Sequence, residues 1–225
     1  KHWTIDFDGP VATLTMDDGK ANAFGMEMMA ALTEALDRAG ALADVVVIRG
    51  RPGLLSAGFD LKVINGPKEG VRAMVQAGAE LLLKVYMHPQ PVIIACTGHA
   101  VAAGALLLCA GDCRIGVSGD YKIGLNETAI GLSLPTFGLE LARDRLDKRH
   151  LAMATMGAEL YPPTTAAAVG YLDQAERPGD FDAALAAKAA QLQALDREAY
   201  VLVKRRLRGA REALIRASLP DELNV

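Results

Sequence analysis

Val92-Ile93-Ile94-Ala95-Cys96-Thr97-Gly98-His99-Ala100-Val101-Ala102-Ala103-Gly104-Ala105-Leu106-Leu107-Leu108-Cys109-Ala110-Gly111 is twenty residues without Asp, Glu, Lys or Arg. Its length would suit a membrane span. Its internal order does not: a β-branched run is followed by Thr97, Gly98 and His99, then by small residues around Gly104, then by a Leu-rich run. That order predicts a buried strand over 92–96, a turn, and a buried helix over 104–110.

Working outward, residues 3–7 and 11–16 alternate in polarity around Asp8-Gly9-Pro10 and predict a hairpin. Residues 26–39 have helical spacing, with Met28, Met29, Leu32 and Leu36 on one side. Val45-Val46-Val47-Ile48 is a buried strand closed by Gly50 and Pro52-Gly53. Residues 54–61 carry a short strand into a Ser56-Ala57-Gly58 turn. A second helix over 71–86 is stopped by Pro89 and Pro91, and a strand is expected over 113–117. Residues 142–156 and 163–169 have helical patterns, and 180–218 predict two Ala-rich, charged helices. The order is strand, strand, helix, roughly repeated. It favours an α/β fold with both sheet faces covered. The repeats share no sequence similarity, so a solenoid array is not expected.

The 225 residues suit one domain, or one domain with a helical appendage. A hydrophobic share of 51% provides for a full core. A net charge of −3 gives no footing for nucleic acid or an anionic membrane. Three cysteines (Cys96, Cys109, Cys113) and four scattered histidines (His2, His88, His99, His150) support neither a metal site nor a disulfide framework. Buried free thiols and a reducing compartment are expected. Residues 1–10 carry Asp6 and Asp8 and no apolar leader core, so a cytoplasmic protein is expected.

Three segments could carry chemistry. Ser56-Ala57-Gly58-Phe59-Asp60-Leu61-Lys62 places a Gly turn after a strand, leaving backbone N–H groups free for a ligand. Taken alone, an ordinary turn is the plainer explanation. Residues 97–105 set small side chains where a helix begins, and first-turn N–H groups are unpaired. Tight helix–sheet packing asks for the same residues. In Tyr121-Lys122-Ile123-Gly124-Leu125-Asn126-Glu127-Thr128-Ala129-Ile130-Gly131, Glu127 sits among apolar neighbours. Such a carboxylate is costly unless paired or protonated, and a raised pKa suits acid/base work. A helix-cap or surface glutamate is the plain alternative. His99 reads as a satisfied buried histidine. Lys204, Arg205, Arg206, Arg208 and Arg211 read as a solvated helix face or as a contact for phosphates. Met74, Met87 and Phe137 could line a ligand's apolar tail or simply pack in the core.

Taken together, the three segments resemble the crotonase (enoyl-CoA hydratase/isomerase) superfamily over most of the chain, from about Val11 through Asp173. The resemblance implies a crotonase (ClpP-like) spiral of ββα units over 1–175, followed by a helical region over 176–225 that packs on the core or on a neighbouring subunit. It implies an acyl-CoA thioester substrate and a homotrimer or hexamer. No metal or redox cofactor is expected, since CoA belongs to the substrate.

By position, the oxyanion donors would be the N–H groups of Phe59 and Ala103. Substrate contacts would fall on Ala21, Ala57, Gly58, Asp60, Leu61, Lys62, Leu106 and Asn126. Lys20-Ala21-Asn22-Ala23-Phe24 is similar to the family's first CoA-contact region. Ala102-Ala103-Gly104 stands where consecutive glycines are usual, which requires negative φ at those positions.

Hydratases of the family carry two glutamates. Here the first position is Leu106 and the second is Glu127. Ile123-Gly124-Leu125-Asn126-Glu127-Thr128, Tyr161-Pro162-Pro163 and Val169-Gly170-Tyr171-Leu172-Asp173-Gln174 resemble mitochondrial-type Δ3,Δ2-enoyl-CoA isomerases, which retain only the second glutamate. The expected activity is therefore a proton shift from C2 to C4 of a 3-enoyl-CoA by Glu127. Another crotonase activity, such as hydration or thioester hydrolysis, and a non-catalytic acyl-CoA-binding protein are the alternatives.

Overall fold

A computed structural model describes residues 3–222. The expected hairpin forms from β1 (Trp3–Asp8) and β2 (Val11–Met16), followed by helix α1 (Met26–Leu42). Three further units repeat one pattern. β3 (Val45–Arg49) and β4 (Gly53–Ser56) precede α2 (Leu61–Ile64) and α3 (Lys68–Tyr86). β5 (Val92–Cys96) and β6 (Gly98–Val101) precede α4 (Ala103–Ala110). β7 (Cys113–Val117) and β8 (Ile123–Gly124) lead through a 3₁₀ turn (Glu127–Ile130) to α5 (Thr136–Arg145). The chain closes with α6 (Leu151–Thr155), α7 (Pro163–Val169), β9 (Gln174–Glu176), α8 (Phe181–Gln193) and α9 (Arg197–Glu222).

In each of these three further units the first strand joins one sheet and the second strand joins another. The large sheet runs β1-β2-β3-β5-β7-β9, parallel except for the hairpin, and the small sheet runs β4-β6-β8 in parallel. This is the ββα spiral. All five residues of β5 and all eight of α4 are buried, so the uncharged stretch 92–111 is core. Among the described residues no helix is long and apolar enough to cross a membrane.

Two element assignments need correction. Residues 98–101 are not a turn but strand β6, paired with β4 and β8. The switch between sheets takes one residue, Thr97. Its Oγ1 donates to the Leu54 carbonyl (3.1 Å), and its carbonyl accepts from Gly53 N (2.8 Å). The helix expected over 142–156 is two helices, α5 and α6, separated around Leu146–His150. There Asp147 accepts from Arg149 N (2.8 Å) and from its guanidinium. That side chain-to-backbone bond competes with helix continuation.

The basic run on α9 also departs from expectation. Lys204 and Arg208 are neither solvated nor free for phosphate; they are buried on Asp112. Lys204 Nζ lies 2.7 Å from Asp112 Oδ2 and also donates to the carbonyls of His88 (2.6 Å) and Gln90 (3.2 Å). Arg208 Nη1 lies 2.8 Å from Asp112 Oδ1 and donates to the Tyr86 carbonyl (2.7 Å). Burial lowers the Lys204 pKa, and Asp112 works against that shift. Lys204, Arg208, Ile215 and Leu219 form the inward stripe of α9, while Val203, Leu207 and Leu214 face outward. On the opposite face of the large sheet, Phe181, Leu185 and Ala189 of α8 cover Val45, Val47, Ile93, Ala95 and Ile115.

Removing Asp112 would leave two buried cations without a counter-charge. Asp112→Ala is expected to cost about 3–5 kcal/mol in unfolding free energy, measured by urea denaturation.

Candidate active site

The parallel register of the small sheet sets the site. Ser56 is level with Ala100, Ala100 with Ile123, and Val101 with Gly124. The segments that leave these strands, 57–60, 102–104 and 125–127, therefore emerge side by side. Ala57, Phe59, Ala102, Leu106, Asn126 and Glu127 line one cavity of about 380 Å³, together with apolar residues of α2, α3 and the 130–135 segment.

The first loop is held by the segment before α1. Asn22, fully buried at φ +47°, donates from its amide to the carbonyls of Met16 and Leu55 (both 3.1 Å). Ser56 Oγ donates to the Asn22 carbonyl (2.7 Å) and accepts from Gly58 N (3.1 Å). Ala57 N donates to Ala21 O (3.0 Å), and Phe24 N donates to Gly58 O (2.8 Å). Asp60 caps α2, accepting from Lys62 N. Ala21, Ala57, Leu61 and Lys62 are exposed, and of these Ala57 and Leu61 line the cavity. Asp60, Lys62 and Ala21 do not.

The N–H groups of Phe59 and Ala103 donate to no group among the described residues. Gly58 makes their proximity possible. It has φ +98°, and a Cβ there would sit 2.8 Å from Ala102 Cβ and 3.2 Å from Ala103 N. Gly104 is needed for the same close approach, since a Cβ would meet the Ser56 carbonyl at 2.4 Å. The requirement of negative φ fails at one residue: Ala102 has φ +53° and ψ −124°. An alanine stands in a conformation suited to glycine, a cost of about 1–3 kcal/mol. The loop needs that turn to pass from β6 into α4, where Ala105 N and Leu106 N both return to the Ala102 carbonyl.

Glu127 opens the 3₁₀ turn, half-buried, with Oε2 inaccessible and accepting no hydrogen bond. Burial raises its pKa above the ordinary 4.5, and a bond from its own backbone N–H offsets part of the shift. Asn126 Oδ1 beside it is likewise buried and unpartnered. Leu106, which is 1% exposed, presents the apolar wall. Met74 and Phe137 are core residues and Met87 lines a different groove, so none of the three lines this cavity. His99 is half-buried and structural: its Nδ1 accepts from Lys122 N (3.0 Å), and its ring packs edge-on against Tyr121. The three cysteines are free, and burial pushes the Cys109 thiol up to about 11.

One charged residue of the cavity was not foreseen. Glu222, near the end of α9, lines it and accepts from Thr136 N at the start of α5. Its Oε2 is buried without a partner. A glutamate on an exposed-looking helix end gives no local signal of this.

A ββα spiral in which two backbone loops and a carboxylate converge on an apolar cavity is the crotonase architecture. The family described as enoyl-CoA hydratase/isomerase matches residues 6–220, and the chain belongs to that family. It is 28% identical to human mitochondrial enoyl-CoA delta isomerase 1 over 210 residues, 91% of this chain and 70% of the human protein. It spans 58% and 63% of the rat and mouse counterparts. An enoyl-CoA hydratase/isomerase family protein from Pseudomonas syringae is 38% identical with a TM-score of 0.97, over 99% of this chain and 97% of the other. A Mycobacterium tuberculosis protein described both as an enoyl-CoA isomerase and as a probable enoyl-CoA hydratase is 34% identical. Its TM-score in the first description is 0.94, over 99% and 97% of the two chains.

Two stability effects follow from the site. The folded chain holds the Glu127 proton more tightly than the unfolded chain. The stability linked to that proton is complete below the ordinary value of 4.5 and is lost as pH rises through the raised folded value. Glu127→Gln is therefore expected to raise Tm at neutral pH, with the difference closing at pH below 4.5. Ala102→Gly is expected to stabilise by about 1 kcal/mol in chemical denaturation. Relief of strain there outweighs the greater unfolded-state freedom of glycine.

Proposed function

We propose that this chain is a Δ3,Δ2-enoyl-CoA isomerase in which Glu127 is the acid/base. The observation that carries this reading is a half-buried carboxylate with one oxygen inaccessible and unpartnered, sharing its end of the cavity with Leu106 where hydratases of the family carry another glutamate. Hydration calls for one group to activate water and another to deliver a proton. Isomerisation needs only one group that takes a proton and returns it two carbons along.

In this reading the thioester oxygen of a 3-enoyl-CoA lies between the N–H groups of Phe59 and Ala103. Glu127 removes a proton from C2, and the electron pair passes onto the thioester oxygen as a dienolate. The two donors stabilise that charge by about 3–4 kcal/mol each. The protonated Glu127 then delivers its proton to C4. The double bond moves from C3–C4 to C2–C3, and the enzyme returns to its starting state. Leu106 keeps water from the conjugated product. The raised pKa of Glu127 brings the group nearer to neutrality, where both transfers are accessible. No metal or redox cofactor enters, because CoA is part of the substrate. The exposed rim of Ala21, Ala57, Leu61 and Lys62, with Gly58 and Asp60 behind it, offers the contact for the CoA moiety, and Asn126 flanks the acyl group. We also infer a trimer or hexamer. The outward apolar stripe of Val203, Leu207 and Leu214 on α9 suits burial against a second copy.

The reaction is tested by following enone-thioester absorbance after adding a medium-chain 3-enoyl-CoA. Rapid conjugation without 3-hydroxyacyl-CoA is expected, and Glu127→Gln should lower kcat by about 100-fold or more. Activity should rise with pH along an acid limb whose midpoint lies above 4.5, because the ionised form is the base. Efficient hydration of 2-enoyl-CoA, or a Glu127→Gln variant as fast as the parent, would sink the reading.

A further inference from the structure

The cavity has two unlike ends. At one end stand Phe59, Ala102, Leu106, Asn126 and Glu127. At the other, Ile64, Val71, Val75 and Glu222 are shared with a neighbouring cavity of about 210 Å³ that extends to Lys68 and Arg72. Glu222 is thus common to both spaces, whereas none of the five residues of the reactive end lines the smaller one. Its placement is not that of a loose helix end. One oxygen accepts from Thr136 N at the first turn of α5, where the helix dipole favours a carboxylate. The helix that carries it is fixed upstream by Lys204 and Arg208 on Asp112, by Arg211 on Glu140 and Asp144, and by Arg216 on Glu80.

We propose that Glu222 is a specificity-determining residue that ends the acyl pocket and sets the length of tail the protein accepts. This rests on the acyl-CoA reading of the site. Two effects act together. The anchored side chain forms part of the wall common to the larger cavity and the smaller one. Its second oxygen, buried and unpartnered, would also be stripped of any water by an alkyl end without receiving a hydrogen bond in return. A tail that stops short of Glu222 meets a mostly apolar wall that includes Leu61, Ile64, Val71, Val75, Ile130 and Leu132. The class of substrate favoured is thus an acyl-CoA of short to medium length.

The test is calorimetric binding of saturated acyl-CoAs, from butyryl to palmitoyl, to the whole chain. No turnover is needed, so failure of the isomerase assay and failure of this proposal are distinguishable. The parent should bind more tightly as the tail lengthens up to a limit and then lose affinity. Glu222→Ala should move that limit to longer tails and shift the long-to-short affinity ratio by about tenfold, the factor expected from about two more buried methylenes. Thr136→Pro removes the anchoring N–H at a first helical position that tolerates proline. It should relax the limit in the same direction, and it decides the matter if Glu222→Ala does not fold. An unchanged length profile in a folded variant overturns the proposal, as does a parent that binds none of these thioesters.

Discussion

The register of three short parallel strands is the constraint on which the site depends. β4, β6 and β8 contribute few residues, yet their pairing decides which backbone segments meet at one edge. Parallel strands all point the same way, so their C-terminal ends deliver loops to a common place. The spiral uses this three times over, each strand of the small sheet following one of the large sheet after a short connection. A slip of one residue would turn every side chain of a strand to the wrong face. The glycines at the crossings guard against it, because Gly58 and Gly104 sit where a Cβ would strike the neighbouring backbone.

The site is also where the chain is least comfortable. Ala102 holds a left-handed backbone without being glycine, and Glu127 holds a carboxylate with a buried, unpartnered oxygen. Both features cost stability, and both lie on the wall of the same cavity. Strain and unmet polar groups persist where the surrounding packing is rigid enough to impose them. Here that packing is the fully buried β5 and α4, with Asn22 and Ser56 tying the first loop down by four hydrogen bonds.

Helix α9 reverses the usual arrangement along part of its length. Cations point inward to Asp112, and aliphatic residues point outward. Buried pairs of this kind add little net stability compared with apolar packing, but removing one partner is costly. Their value here is placement. A helix of 26 residues is held in one register and brings its last described turn to Thr136. The same end of the fold thereby gains a carboxylate that belongs, by chain position, to the far end of the molecule.

By itself the sequence determined the longer strands and helices, the α/β class and three segments whose pattern suits a ligand site. Periodicity, apolar runs and glycine turns are local, and they survive in a linear reading. Glu127 was legible because a charge among Ile123, Leu125 and Ile130 is anomalous wherever it occurs. Strand β6 was not: Gly98-His99-Ala100-Val101 has the composition of a turn, and its strand character comes from pairing with residues far away in the chain. Nor did the sequence indicate the φ of Ala102, the inward face of α9 or the reach of Glu222. Each of those depends on close approach between segments separated by tens of residues. Only the tertiary structure decides such contacts, because their energy lies in mutual packing and burial and not in any one segment's own preference.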